Sequence, residues 1–299
     1  MPIFSIPRLL FTTLLFLLVG CGANVGNQKP VLSYLGQYDI EIKKVGLRQP
    51  SGIVFSPQQD SLWVVSDDMN RVFKLTREGV LLADDTIMLS DKGLEGLTIE
   101  PTGTYLFMVE EAKNEILKID ISSDTIAKRR RLSEMDGHDA VAAYLASGGK
   151  NKGLEGITWN SDSDTIFVMK EGEPGLLIEL SPDLERILNH RLLGQQNGFH
   201  DDDVDEKELD YSGITYDPTR ACFWIISDKA RRLFLYDWTS NQVIETFPLN
   251  YPLDGETHEI VKAEGVTLDL NNNRLYLVSD KEARLYLFEI GDSKHNRCN

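Results

Sequence analysis

The chain has 299 residues, with 31 lysines and arginines against 47 aspartates and glutamates and a formal net charge of −16. A surface this acidic repels nucleic acid and anionic lipid headgroups and attracts cations, so no nucleic-acid partner is expected. The length suits one large domain with a sizeable core, and after the first twenty residues no apolar run is long enough to cross a bilayer.

Residues 1–20 read as a lipoprotein signal peptide. Arg8 supplies a basic start, and Leu9 to Val19 is apolar apart from Thr12 and Thr13, too short a run to span a membrane comfortably. Leu18-Val19-Gly20-Cys21 is similar to a bacterial lipobox, in which cleavage precedes Cys21 and the cysteine carries the lipid. Acyl chains contribute roughly 0.8 kcal/mol per buried methylene, which makes the membrane a partner through lipidated Cys21. Gly22 in place of aspartate fits the outer membrane of a bacterial envelope. Residues 21–33 then form the acylated cysteine and a polar tether, and residues 34–299 the folded domain.

Tyr38 to Lys43 alternates apolar and polar residues, as a half-buried strand does. Five similar units follow. They open at Ser51-Gly52, Glu95-Gly96, Glu155-Gly156, Ser212-Gly213 and Glu264-Gly265, each continuing with an aliphatic residue. Every unit has a short apolar strand, a turn rich in Pro, Asn, Asp or Gly, and a strongly β-prone strand such as Leu62-Trp63-Val64-Val65 or Phe223-Trp224-Ile225-Ile226. A third strand follows, and most copies end on a more polar fourth. Four short strands repeated at intervals of tens of residues predict a five-bladed β-propeller, with six blades the alternative. The last copy supplies three strands, so the N-terminal strand is expected to complete it and close the ring. The glycines after the openings suit close backbone approach near the axis, and Trp63, Trp159 and Trp224 suit packing between blades.

Two segments interrupt the repeats. Ser133 to Asn151 contains a short helical stretch over Asp139 to Leu145, and Gln195 to Asp210 is polar and acidic. Both precede an opening residue and are expected beside the mouth of the ring. Asp201-Asp202-Asp203-Val204-Asp205 lacks the glycine of an EF-hand and reads as a solvated acidic loop.

An acid follows each opening residue at a fixed spacing of 16: Asp67, Glu111, Glu171, Asp228 and Asp280. Antiparallel neighbours joined by a tight turn bring their far ends together, so the two sets should form concentric rings, with Glu95, Glu155 and Glu264 in the inner one. Converging carboxylates demand a counter-cation, and mixed carboxylate and hydroxyl oxygens suit Ca2+ better than zinc. Lys170, Lys229 and Lys281 flank three of the outer acids and are candidate phosphate-binding groups. Cys222 and Cys298 are the cysteines beyond Cys21; a disulfide and two free thiols are both compatible with the sequence. No nucleophile elbow, P-loop or dinucleotide fingerprint occurs.

The Glu-Gly-Leu/Ile/Val-Thr openings, the Val-Ser-Asp turns at residues 65–67 and 278–280 and the lipobox together resemble the SdiA-regulated (YjiK-like) family of bacterial envelope proteins, over Tyr34 to Ile290. The resemblance implies a five-bladed propeller with bound calcium and no settled activity, distantly similar to propeller phytases. Two functions fit: a monomeric calcium-binding module for a small molecule, glycan or protein partner, and a calcium-dependent phosphoesterase or esterase-like hydrolase, for which no general base stands out.

Overall fold

The structure is a computed structural model that describes residues 29–66, 69–90, 93–148 and 152–292. The expected signal peptide, Cys21, Asp67 and Cys298 lie outside these residues. Among the described residues are five four-stranded antiparallel sheets and one two-stranded hairpin. Each four-stranded sheet is a blade. Their innermost strands are Pro50–Phe55, Leu94–Ile99, Leu154–Asn160, Gly213–Asp217 and Ala263–Asp269. These strands contact one another in sequence, and the fifth contacts the first, so the ring is closed.

The second strands explain the continuous apolar runs of the sequence. Ser61–Ser66, Thr165–Lys170 and Cys222–Ser227 are buried at every residue. A blade lies between two neighbours, so both faces of its middle strands are covered and the usual alternation disappears. The core is correspondingly divided into five clusters, one per junction. Trp63 and Val65 of the first blade meet Leu97 and Met108 of the second, for example, and Tyr276 and Val278 of the fifth meet Ile53 and Phe55 of the first. Trp224 is fully buried between the fourth and fifth blades.

The N-terminal strand closes the ring as expected, but from an earlier stretch of chain. Pro30–Asp39 pairs antiparallel with Arg284–Asp292 as the outer strand of the last blade. Its pairing is set by Leu32 and Tyr34, which pack on the cluster between blades four and five. The alternation at Tyr38 to Lys43 has another cause. Ile40 leaves the sheet and is buried with Leu47 against the junction of blades five and one, where its N–H donates to the carbonyl of Ala283 at 2.9 Å. The segment after Ser133 has less helix than its composition suggests. It forms the short turns Leu132–Glu134 and His138–Ala140 and a single helical turn, Ala142–Leu145.

Two features bind the innermost strands together. The opening glycines allow backbone contact: a Cβ on Gly52 would lie 2.5 Å from the carbonyl oxygen of Glu95, and one on Gly96 would lie 2.5 Å from that of Glu155. The threonine of the repeated motif then spans the junction. Thr98, Thr158 and Thr267 accept the backbone N–H of Trp159, Tyr216 and Phe55 of the next blade at 3.0, 3.0 and 3.1 Å. Gly96→Ala is therefore expected to destabilise the protein by about 1–3 kcal/mol, because the obstructing atoms are backbone and cannot rotate away. Urea unfolding measures this, and a variant as stable as the parent would contradict the close approach.

Candidate functional site: an acidic mouth

Four of the five opening residues lie at irregularities in the ladder. Leu154 pairs with Lys170 and Gly156 with Met169, so Glu155 is the extra residue between them. Ser51 and Glu264 stand in the same relation to their ladders, and Glu95 lies within the register shift between Leu94 and Leu97. A bulge of this kind re-aims a side chain at the rim of a sheet. Here the result is convergence. Glu95, Glu155 and Glu264, with Glu111, Glu171, Asp228 and Asp280, line one cavity of about 300 Å3 together with Ser51 and Ser212. The spacing of 16 thus brings the two sets of residues to one end of the ring.

The serines take a different role from the glutamates. Ser51 donates to the carbonyl of Leu94 at 3.0 Å, and Ser212 to that of Ala263 at 2.8 Å, so both tie adjacent blades at the mouth. Two lining residues, and a third beside them, escaped the sequence reading. Asp210 accepts the hydroxyl of Ser227 at 3.0 Å and the backbone N–H of Lys229 at 2.9 Å. Lys262 forms an ion pair with Asp280 and reaches Glu264 at 3.8 Å. Lys152, just behind the cavity wall, pairs with Glu171 at 2.8 Å. Asp210 and Lys262 both stand two residues before an opening residue, a column that a stricter alignment of the repeats would have exposed.

The three sequence-nominated lysines separate. Lys229 lines the cavity. Lys170 is fully buried and donates to the carbonyl of Gly172 and, at 3.4 Å, to that of Pro174, so it is engaged within its own turn. Lys281 is exposed and is not part of the lining. Elsewhere, the acidic loop is pinned by Asp201, which binds Arg232 at 2.8 Å and the N–H of Asp203 at 2.9 Å. Cys222 is buried, and burial pushes its thiol up to about 12.

Crowding of acids perturbs their protonation. Burial, then the charges of Glu95, Glu111, Glu264 and Glu171, holds the Glu155 carboxyl well above its ordinary range. Glu264 is also pushed well above the usual range by burial; the Lys262 ammonium opposes this, while Asp228, Asp280 and Glu95 reinforce it. Burial likewise raises Glu111 and Asp228. Carboxylate oxygens of Glu111, Glu155 and Glu171 come within 4.8 Å of one another, close enough to share one cation. Neighbouring carboxylates at this range cannot all ionise without a compensating positive charge.

The sign of the pH effect follows. An acid whose folded value is raised gives stability that is complete below the unfolded range, about 4.3 for glutamate, and lost as pH rises through the folded value. In chelating buffer the melting temperature is expected to fall as pH rises above the ordinary glutamate range, and Glu155→Gln is expected to flatten that fall. Equal slopes for parent and variant would remove Glu155 from the crowded cluster.

Comparison with known proteins agrees with this architecture. The fold is similar to the crystal structure of Myxococcus xanthus glutaminyl cyclase, with 11% sequence identity, a TM-score of 0.59 and coverage of 89% of this chain and 98% of that one. The Myceliophteria thermophila Cps50 (Swd1) β-propeller domain aligns with 9% identity and a TM-score of 0.49, covering 86% of this chain and 100% of that one. At 11% identity the likeness to the cyclase concerns the fold alone. The SdiA-regulated family matches residues 32–289, nearly the whole propeller, and the chain belongs to that family.

Proposed function

We propose that this propeller is a calcium-binding module of the bacterial cell envelope, anchored by lipid at Cys21, whose mouth presents the ion to a partner or small ligand. The observation that carries the reading is the convergence of Glu111, Glu155 and Glu171 within 4.8 Å. The donor set consists of carboxylate oxygens, and hard oxygen donors suit calcium, which takes six to eight of them at about 2.3–2.6 Å. Glu95 also lines the cavity, and water can complete the shell.

The ion would answer the electrostatic difficulty of the site. Glu155 resists ionisation among its neighbours, and a divalent cation reverses that preference. Binding would therefore release protons, stabilise the ring and join the second and third blades at the mouth. The backbone N–H of Gly153 already approaches Glu111 at 3.4 Å across the same junction. Lys229 and Lys262, on the far wall, would meet anionic groups of a ligand that approaches the ion.

Melting with calcium and with chelator tests the reading. At a free calcium concentration one hundred times the dissociation constant, stabilisation of about 2.7 kcal/mol is expected, and Glu155→Gln should remove most of it. An unmodified protein that melts at the same temperature in both buffers would eliminate the site. Soluble phosphoesters and esters offered to the calcium-loaded protein are expected to remain intact; sustained calcium-dependent turnover would replace the binding reading with the hydrolytic one.

Anchoring has its own test. Cys21→Ser is expected to move the protein from the membrane fraction to the soluble fraction and to abolish incorporation of labelled fatty acid. A parent protein that incorporates no label would refute lipidation.

A further inference from the structure

The repeats place a second set of acids at the same repeat positions as the first, although their carboxylates do not converge as closely as those of Glu111, Glu155 and Glu171. Glu111, Glu155 and Glu171 are the outer acid of one blade, then the opening acid and the outer acid of the next. Asp228, Glu264 and Asp280 are the equivalent three residues at the junction of the fourth and fifth blades, and they line the same cavity. The backbone is placed alike: the N–H of Gly153 faces Glu111, and that of Lys262 lies near enough to Asp228 to favour its charged form.

The two sets differ at the residue two places before the opening acid. In the third blade this is Gly153, with no side chain, and the residue before it, Lys152, pairs with the outer acid Glu171 at 2.8 Å. In the fifth it is Lys262, whose ammonium pairs with Asp280 and reaches Glu264 at 3.8 Å. Asp280 is 6% exposed, and its other oxygen, Oδ1, has no hydrogen-bond partner. One ammonium therefore leaves an acceptor unused in a buried carboxylate that faces the cavity. A divalent cation could take both oxygens of such a group.

We propose that the mouth contains a second divalent-cation position, bounded by Asp228, Glu264 and Asp280, and that the ammonium of Lys262 occupies it as a tethered counter-ion. The inference rests on the cation-binding reading of the mouth and extends it to the opposite wall. An incoming ion must displace Lys262, which has somewhere to go: its side chain also lines a neighbouring cavity of about 470 Å3 beside Arg231, Glu259 and Val261. The side chain of Lys262 is half exposed, so this movement needs no opening of the core. The unmodified protein would hold an ion at the Glu155 position first, and take a second only at higher concentration.

Equilibrium dialysis of the full-length protein in detergent against calcium alone provides the test. At free calcium too low to load the second position of the unmodified protein, Lys262→Gln is expected to bind one more ion per chain than the unmodified protein. Lys262→Arg, which keeps the positive charge, should not, and Lys262→Gln combined with Asp280→Asn should lose the added ion. Equal stoichiometry in the parent and Lys262→Gln overturns the proposal. If the parent binds no ion and Lys262→Gln binds one, the second position stands and the Glu155 site falls; one ion in each gives the converse. Folding is read by circular dichroism in both buffers. A Lys262→Gln protein that folds in calcium but not in chelator supports the proposal, and one that folds in neither overturns it, because calcium should replace the missing ammonium.

Discussion

The approach of innermost strands across each blade junction is the constraint on which the molecule depends. At Gly52 and Gly96 the strand meets the carbonyl of the next blade's opening residue at a distance that excludes any Cβ. The threonine two residues after each of several opening glycines then provides a hydroxyl for the neighbouring N–H. Both interactions sit at the axis, where the edges of five sheets would otherwise leave polar groups facing one another. Burial of an unpaired N–H costs about as much as a lost hydrogen bond, so these hydroxyls stabilise each junction where it is most crowded.

The same geometry generates the mouth. The opening residue stands just before a glycine that lies close against the next blade, and the bulge leaves that residue outside the ladder at the rim. Where it is serine, the hydroxyl is consumed by the adjacent backbone; where it is glutamate, the carboxyl group lines the cavity. Fold stability and site chemistry consequently pull against each other. The ring gathers like charges, and the protein offsets part of the repulsion with Lys152 on Glu171 and Lys262 on Asp280. Stability is spent on assembling this cluster, as is common where side chains are held for binding.

Much of this was legible in the sequence because repetition turns weak local signals into a pattern. The spacing of 16 between opening residue and acid identified seven carboxylates that line the cavity, with the eighth member of the set, Asp67, outside the described residues. What it could not reveal were residues that break the repeat. Asp210 and Lys262 occupy a column otherwise filled by glutamine or glycine, so their roles follow from position rather than from resemblance. Lys170 and Lys229 looked alike beside their acids, yet one points into its own turn and the other lines the cavity, a difference set by packing. The closing strand was recognised by need but misplaced, because the alternating pattern of Tyr38 to Lys43 serves a buried corner at Ile40 as well as it would serve a sheet.

The pairing of Pro30–Asp39 with Arg284–Asp292 also sets an order of events during synthesis. The first of the described strands to leave the ribosome must wait for the last one before it finds its partner. Contacts this distant in sequence form slowly, and until then both ends of the incomplete ring carry open strand edges suited to unwanted pairing. A chain kept from folding until it has been made in full escapes that interval.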